Sequence, residues 1–68
     1  MIDIHKKYEL RDKSIGRVVG LKILEYEDYP IHGKIVREGG VTLVAIWTAE
    51  GKYYKNRDDY ELDLVEVV

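Results

Sequence analysis

The sequence predicts an all-β domain, a small five- or six-stranded SH3-like barrel, and three observations carry that prediction. Turn residues are frequent: glycines stand at 16, 20, 33, 39, 40 and 51, and the single proline is Pro30. The runs between them are short and rich in Val, Ile, Leu, Tyr and Trp, which suit a pleated, half-buried strand. No window carries apolar residues at i, i+3, i+4 and i+7 with caps at both ends, so no amphipathic helix is expected. Closing such strands into a barrel removes exposed edges, and an OB-like barrel ordinarily takes more chain.

The first strand is expected over Tyr8 to Arg11, stopped by the polar turn Asp12-Lys13-Ser14. The second runs from Arg17 to Tyr26, with Val19, Leu21 and Ile23 on one face. Val18 and Leu24 break that alternation, which predicts a bulge or bend near Gly20. Glu27-Asp28-Tyr29-Pro30 reads as a loop, because proline cannot donate to a ladder. The sequence leaves open whether the Tyr29-Pro30 bond is cis. The third strand, Ile31 to Arg37, sets Ile31, Gly33 and Ile35 on one face. Glu38-Gly39-Gly40 offers a tight hairpin, since glycine readily takes a positive φ.

The fourth strand, Val41 to Thr48, places Val41, Leu43, Ala45 and Trp47 on one side and Val44 and Ile46 on the other. Apolar residues on both sides predict cover on both sides, by the barrel or by a second subunit. Ala49-Glu50-Gly51 fits a three-residue hairpin returning into a short strand, Lys52 to Tyr54. After the polar stretch Lys55 to Asp59, the last strand spans Leu62 to Val67, with a change of apolar parity between Leu64 and Val65 that suggests a second bulge. Residues 1–7 are the one segment that could be a loose N-terminal arm, and residues 8–68 make a single small barrel domain.

At 68 residues and 8.0 kDa the chain has room for one domain. Domains this small rarely draw more than roughly 3–5 kcal/mol from one core. With no cysteine there is no disulfide or thiolate zinc site to staple it. Packing alone, or added burial by oligomerising, must suffice, so a homo-oligomer is expected. A hydrophobic fraction of 46% beside 35% charged residues describes a folded soluble domain rather than a disordered one. The longest apolar run, Leu43 to Trp47, falls far short of the roughly 20 residues that span a bilayer. Met1 to Lys7 lacks the apolar stretch of a signal peptide. A cytoplasmic protein without a membrane partner is the expectation.

Net charge is −2, from 11 basic and 13 acidic residues, and the pI is about 5.6. A phosphate-backbone reader would show a basic stripe and a high pI, so nucleic acid is a disfavoured partner. A DNA mimic would want a far denser acidic surface. From Asp58 onward the charged residues are Asp58, Asp59, Glu61, Asp63 and Glu66, with no base among them. They read as a solvated acidic edge, because the glycine bend and ligand spacing of a calcium loop are missing.

Catalytic groups are scarce. Ser14 is the lone serine, and His5 and His32 are the only histidines. No nucleophile-elbow spacing links Ser14 to His32 and an aspartate. No enzyme activity, metal or cofactor is expected. The aromatic residues are Tyr8, Tyr26, Tyr29, Trp47, Tyr53, Tyr54 and Tyr60, with no phenylalanine. Each tyrosine brings a hydroxyl that wants a partner or water. Tyr, Trp and Arg are the commonest binding anchors. Tyr29, His32, Trp47, Tyr53 and Tyr54 are therefore the candidate recognition residues, gathered near one barrel end, with Lys34 or Arg57 supplying charge.

Three segments carry a resemblance: Tyr29-Pro30-Ile31-His32-Gly33, then Trp47-Thr48-Ala49-Glu50-Gly51-Lys52-Tyr53-Tyr54, then Asp63-Leu64-Val65. In order and spacing they resemble a family of short phage and prophage accessory proteins, which pair a YP[IV]xG segment with a WTxDGRY-like hairpin and a DLV-like strand. The resemblance spans Tyr8 to Val67. This chain departs from it at Arg11-Asp12-Lys13-Ser14, where an RDG turn is more usual, and in the hairpin, where Glu50 and Lys52 replace Asp and Arg. Lysine cannot copy a bidentate arginine contact. The resemblance implies a phage protein made in the cytoplasm of a bacterial host, and it transfers no catalytic residue. The expected function is a non-enzymatic binding module that inhibits or titrates a host component, either a defence protein or its small-molecule signal. The alternatives are a nucleic-acid-associated small barrel, helped by Lys6, Lys7, Arg11, Lys13 and Arg17, and a structural or assembly part of a virion.

Overall fold

The computed structural model describes residues 1–68 and contains five strands: β1 (Tyr8–Leu10), β2 (Arg17–Ile23), β3 (Ile31–Val36), β4 (Thr42–Trp47) and β5 (Leu64–Glu66). β1 pairs with β5, and β2, β3 and β4 form a second sheet in that order, all antiparallel. The chain has no α-helix, so it is all-β as its pattern predicts. The two sheets do not join into a closed barrel.

The period of two decides what enters the core. In β3, Ile31, Gly33 and Ile35 are buried while His32 and Lys34 alternate outward. Across the ladder Gly33 faces Ala45, and Ile31 faces Trp47. Ile2, Leu10, Ile31, Ile35, Ala45, Trp47 and Leu64 make one core cluster between the sheets. Gly33 is glycine for a packing reason. A Cβ there would lie 2.8 Å from the Leu21 side chain and 3.3 Å from both the Trp47 ring and the Val19 carbonyl, so even alanine would force Leu21 to shift and crowd Trp47.

The bulge expected near Gly20 is present. Register slips between Val19 and Lys22, and Gly20 adopts φ +65°, a conformation that costs glycine little. The extra residue reverses the parity of β2. Val18, Leu21 and Ile23 pack on the core, whereas Val19 lies on the other face opposite Lys34, which corrects the grouping of Val19 with Leu21 and Ile23. The strand also stops at Ile23, short of Tyr26, where the backbone turns with φ +71°. Every peptide bond is trans, Tyr29-Pro30 included.

The β3–β4 hairpin closes with Arg37 N donating to the Val41 carbonyl at 2.7 Å over a short 3-10 turn, Glu38–Gly40. The turn after β4 also matches its pattern: Gly51 sits at φ +87°, and Thr48 N donates to the Lys52 carbonyl at 2.9 Å. The strand expected over Lys52 to Tyr54 does not form: Lys52 pairs with Thr48 but the ladder does not continue, and the Tyr53 N–H, which faces away from β4 in this register, donates to the Asp63 carboxylate. β5 keeps an unbroken register with β1, so the parity change at Leu64 and Val65 is no bulge. Leu64 faces the core and Val65 faces solvent.

Residues 1–7 contribute one core side chain. Ile2 is buried, its N–H donates to the Ala49 carbonyl at 2.7 Å, and its side chain lies against Gly51. On β4 the cover predicted for both faces is absent from the single chain, and Val44 is 77% exposed.

Candidate functional site

One buried carboxylate organises the surface with the most aromatic character. Asp63 is 3% exposed and precedes β5 directly. Its Oδ1 accepts the Tyr53 N–H at 2.9 Å and its Oδ2 accepts the Tyr60 N–H at 3.0 Å. Its own N–H donates to the Tyr60 carbonyl at 2.9 Å, and its carbonyl accepts the Arg11 N–H at 2.8 Å. The segment from Tyr53 to Tyr60 is thereby closed at both ends on one residue. A buried carboxylate is tolerated because each oxygen is satisfied by an amide and the Arg11 guanidinium stands 3.9 Å away.

The closed loop brings three rings into mutual contact. Tyr54 meets Tyr60 edge-on at 4.8 Å and meets Tyr53 edge-on at 5.0 Å, while Tyr53 and Tyr60 stack at 5.8 Å. These separations suit aromatic rings, whose quadrupoles favour offset and T-shaped pairs. The Arg57 guanidinium lies 4.6 Å from the Tyr60 ring centre and 5.9 Å from that of Tyr54, within cation–π range. Tyr29 joins from the preceding loop, its hydroxyl accepting the Lys55 N–H at 3.3 Å. Tyr29, Tyr54, Lys55, Asn56 and Arg57 line an open depression of about 330 Å³.

The electrostatics follow from the packing. The Tyr60 hydroxyl is pushed above the usual tyrosine range, chiefly because partial burial disfavours its anion, with Tyr54 and Glu61 adding to the effect. At the loop's other side Lys52 Nζ donates to Asp58 Oδ1. That hydrogen bond holds the Asp58 carboxyl below its ordinary value and the Lys52 ammonium above its own.

Of the candidate recognition residues, Tyr29, Tyr53, Tyr54 and Arg57 come together. His32 and Lys34 lie on the outer face of the three-stranded sheet, paired opposite Ile46 and Val44. Trp47 is no surface anchor: it is fully buried, and its Nε1 donates to the Leu62 carbonyl at 2.7 Å. A ring at an inward position of a central apolar run packs into the core before it can serve a surface. Sequence reasoning left Tyr60 and Asp63 out of the site. The signal for Asp63 was its place between Leu62 and Leu64, an acid inside an apolar run. The acidic stretch is also no bare edge, since Asp59 lies 3.5 Å from Arg11 and Glu66 lies 3.6 Å from Lys6. Ser14 is committed locally, its hydroxyl donating to Asp12 Oδ1.

Comparison of the chain with protein-family models, with curated proteins and with solved structures gives no match. The resemblance to short phage proteins therefore rests on its own sequence segments. No helix is long and apolar enough to cross a membrane.

Proposed function

We propose that this chain is a non-enzymatic binding module, an SH3-like small barrel whose recognition surface is the cluster of Tyr29, Tyr54, Tyr60 and Arg57. The observation that carries it is the Arg57 guanidinium seated over Tyr60 beside a partly exposed Tyr54, on a loop fixed by Asp63. Arginine and tyrosine are strong anchors because each buries a large rigid area and offers directional hydrogen bonds. Holding them on a clasped loop lowers the ordering cost of binding. The SH3-like reading draws support from the strand order, a β1–β5 pair beside a β2–β3–β4 sheet. The non-enzymatic reading draws support from Ser14, whose hydroxyl is engaged by Asp12 rather than by a base.

The partner, following the resemblance to phage accessory proteins, is a component of a bacterial host: a defence protein, or a small-molecule signal such as a nucleotide. Lys55 and Arg57 at the rim of the depression favour a partner presenting an anionic group. The test is native mass spectrometry of the protein recovered from bacterial lysate, alongside the double variant Tyr54→Ala and Arg57→Ala. A bound host protein or nucleotide mass that is present on the wild type and lost from the double variant supports the reading. No bound partner on the wild type, or equal binding by the double variant, removes it.

A further inference from the structure

We infer that β4 is a self-association strand, and that two copies of this chain pair antiparallel edge to edge about a two-fold axis through Val44. β4 lies at the end of its sheet, bonded to β3 on one side only. Arg37 and Val41 form a hydrogen-bonded pair, and alternation along the ladder then turns the backbone groups of Leu43, Ala45 and Trp47 toward β3. Those of Thr42, Val44 and Ile46 point away from the sheet. No turn or loop backbone bond ends on these three residues.

The edge is also unprotected in a way the other edges are not. Natural proteins blunt free edges with charges, prolines, bulges or a covering segment. β2 carries Arg17, Lys22 and the Gly20 bulge, and the β1–β5 pair carries Glu9 and Glu66. β4 reads Thr-Leu-Val-Ala-Ile-Trp, with no charge, proline or glycine. Leu43, Val44 and Ile46 are each more than two-fifths exposed.

A second copy is the occupant these residues suit. From Val41 to Ala49 no side chain is charged, so a charged extended partner would set its charge against aliphatic groups, whereas a copy sets none. With the axis at Val44, Thr42 faces Ile46 of the second copy, and the large Leu43 faces the small Ala45. The Lys34 side chains end up on strands roughly 14 Å apart, beyond the screening length of about 8 Å at physiological salt. Leu43 and Ala45 also line an open groove with Ile15, Ile35 and Leu62, which the incoming strand would cover; Arg37 and Glu61 line the same groove. The pairing uses a surface other than the ring of Tyr54 and Arg57, so it stands independently of the proposed partner site.

Two variants test it. Val44→Lys places a charge at the centre of the seam on a residue exposed enough to leave the fold intact, which circular dichroism checks. Sedimentation should show a wild-type dimer that becomes a monomer in Val44→Lys. Because the chain has no cysteine, Val44→Cys introduces a single thiol. Opposed residues at the axis lie about 5.5 Å apart, inside the range of about 4.4–6.8 Å that a disulfide accepts. Mild oxidation should give a covalent dimer many-fold faster for Val44→Cys than for Lys22→Cys on the far edge. A wild type that stays monomeric up to millimolar concentration overturns the inference. A dimer that survives Val44→Lys, or crosslinks equally at either position, overturns it as well.

Discussion

Asp63 Oδ1 accepts the Tyr53 N–H at 2.9 Å, one residue past the hairpin pair of Thr48 and Lys52. Lys52 still pairs with Thr48. The next amide, which faces away from β4, is taken by a carboxylate ten residues on, and the chain leaves the hairpin as a loop. The same carboxylate receives Tyr60 on its other oxygen, and the aromatic surface between them inherits its shape from that clasp.

The clasp predicts an order of damage. Asp63→Ala leaves two enclosed amides without acceptors, each costing about 1–3 kcal/mol. In a domain of this size a loss of 1 kcal/mol lowers the melting temperature by roughly 4–8 °C. Asp63→Asn keeps one acceptor oxygen but turns an NH2 toward the second amide, so its loss should be intermediate. Denaturant melts followed by near-ultraviolet circular dichroism of the tyrosines should rank wild type above Asp63→Asn above Asp63→Ala. An alanine variant as stable as the wild type would mean the loop is held by something else.

Much of the architecture was legible because it follows from local rules. Glycine pairs and a period of two placed β3, its hairpin and β4 within a residue or so of where they lie, and the broken alternation around Gly20 announced its bulge. What stayed hidden depends on contacts between distant segments. The clasp on Tyr53 needs Asp63, ten residues on, and nothing local marks Tyr53 as its target. Trp47 and Tyr54 look equally suited to a binding surface in the sequence. Only the fold shows that one is sealed beneath Leu62 and the other stands at the surface. The acids after Asp58 likewise read as one solvated edge until the fold brings Arg11, Lys52 and Lys6 against them.

Ile2 yields a second prediction, because a terminal residue carries core weight. Its side chain is buried against Gly51 and Leu64 is close by, so Ile2→Ala opens a hole where β5 meets the turn after β4. Burying and then deleting a side chain of this size costs about 2–5 kcal/mol, at the low end here because the terminus can relax. Urea titration should show a lowered midpoint for Ile2→Ala, while His5→Ala, on an exposed residue of the same segment, should match the wild type. Equal midpoints for the two variants would show that the terminal segment is dispensable.

The pairing of Lys52 with Asp58 makes a pH prediction whose sign follows from the direction of each shift. Asp58 titrates lower in the folded chain than in the unfolded one, so its contribution is present above the ordinary carboxylate range and fades as pH falls through the folded value. Lys52 titrates higher when folded, so its contribution is present below the ordinary lysine range and is lost as pH rises through the folded value. Both groups are at the surface, so the effect is small and salt-sensitive. Asp58→Asn should lower stability slightly at neutral pH and flatten the acid limb of the stability profile. Raised salt should shrink the difference between variant and wild type. A difference that persists undiminished into strong acid would assign it to a cause other than this pair.

Tyr60 offers the most direct view of the cluster itself. Its hydroxyl is held above the ordinary tyrosine range by burial first and by Tyr54 and Glu61 next, while the Arg57 guanidinium pulls the other way. Tyrosinate absorbance followed through alkaline titration should therefore contain a late step that Tyr60→Phe removes. Arg57→Ala should delay that step further, because the one nearby group that favours the anion is gone. Tyr54→Phe should bring it earlier, since the neighbouring Tyr54 hydroxyl contributes to the upward shift. The raised value also means that folding stability is intact below the ordinary tyrosine range and falls as pH climbs through the folded value. If Arg57→Ala moved the late step downward, the guanidinium would not sit over the Tyr60 ring in solution, and the recognition surface drawn from that contact would have to be abandoned.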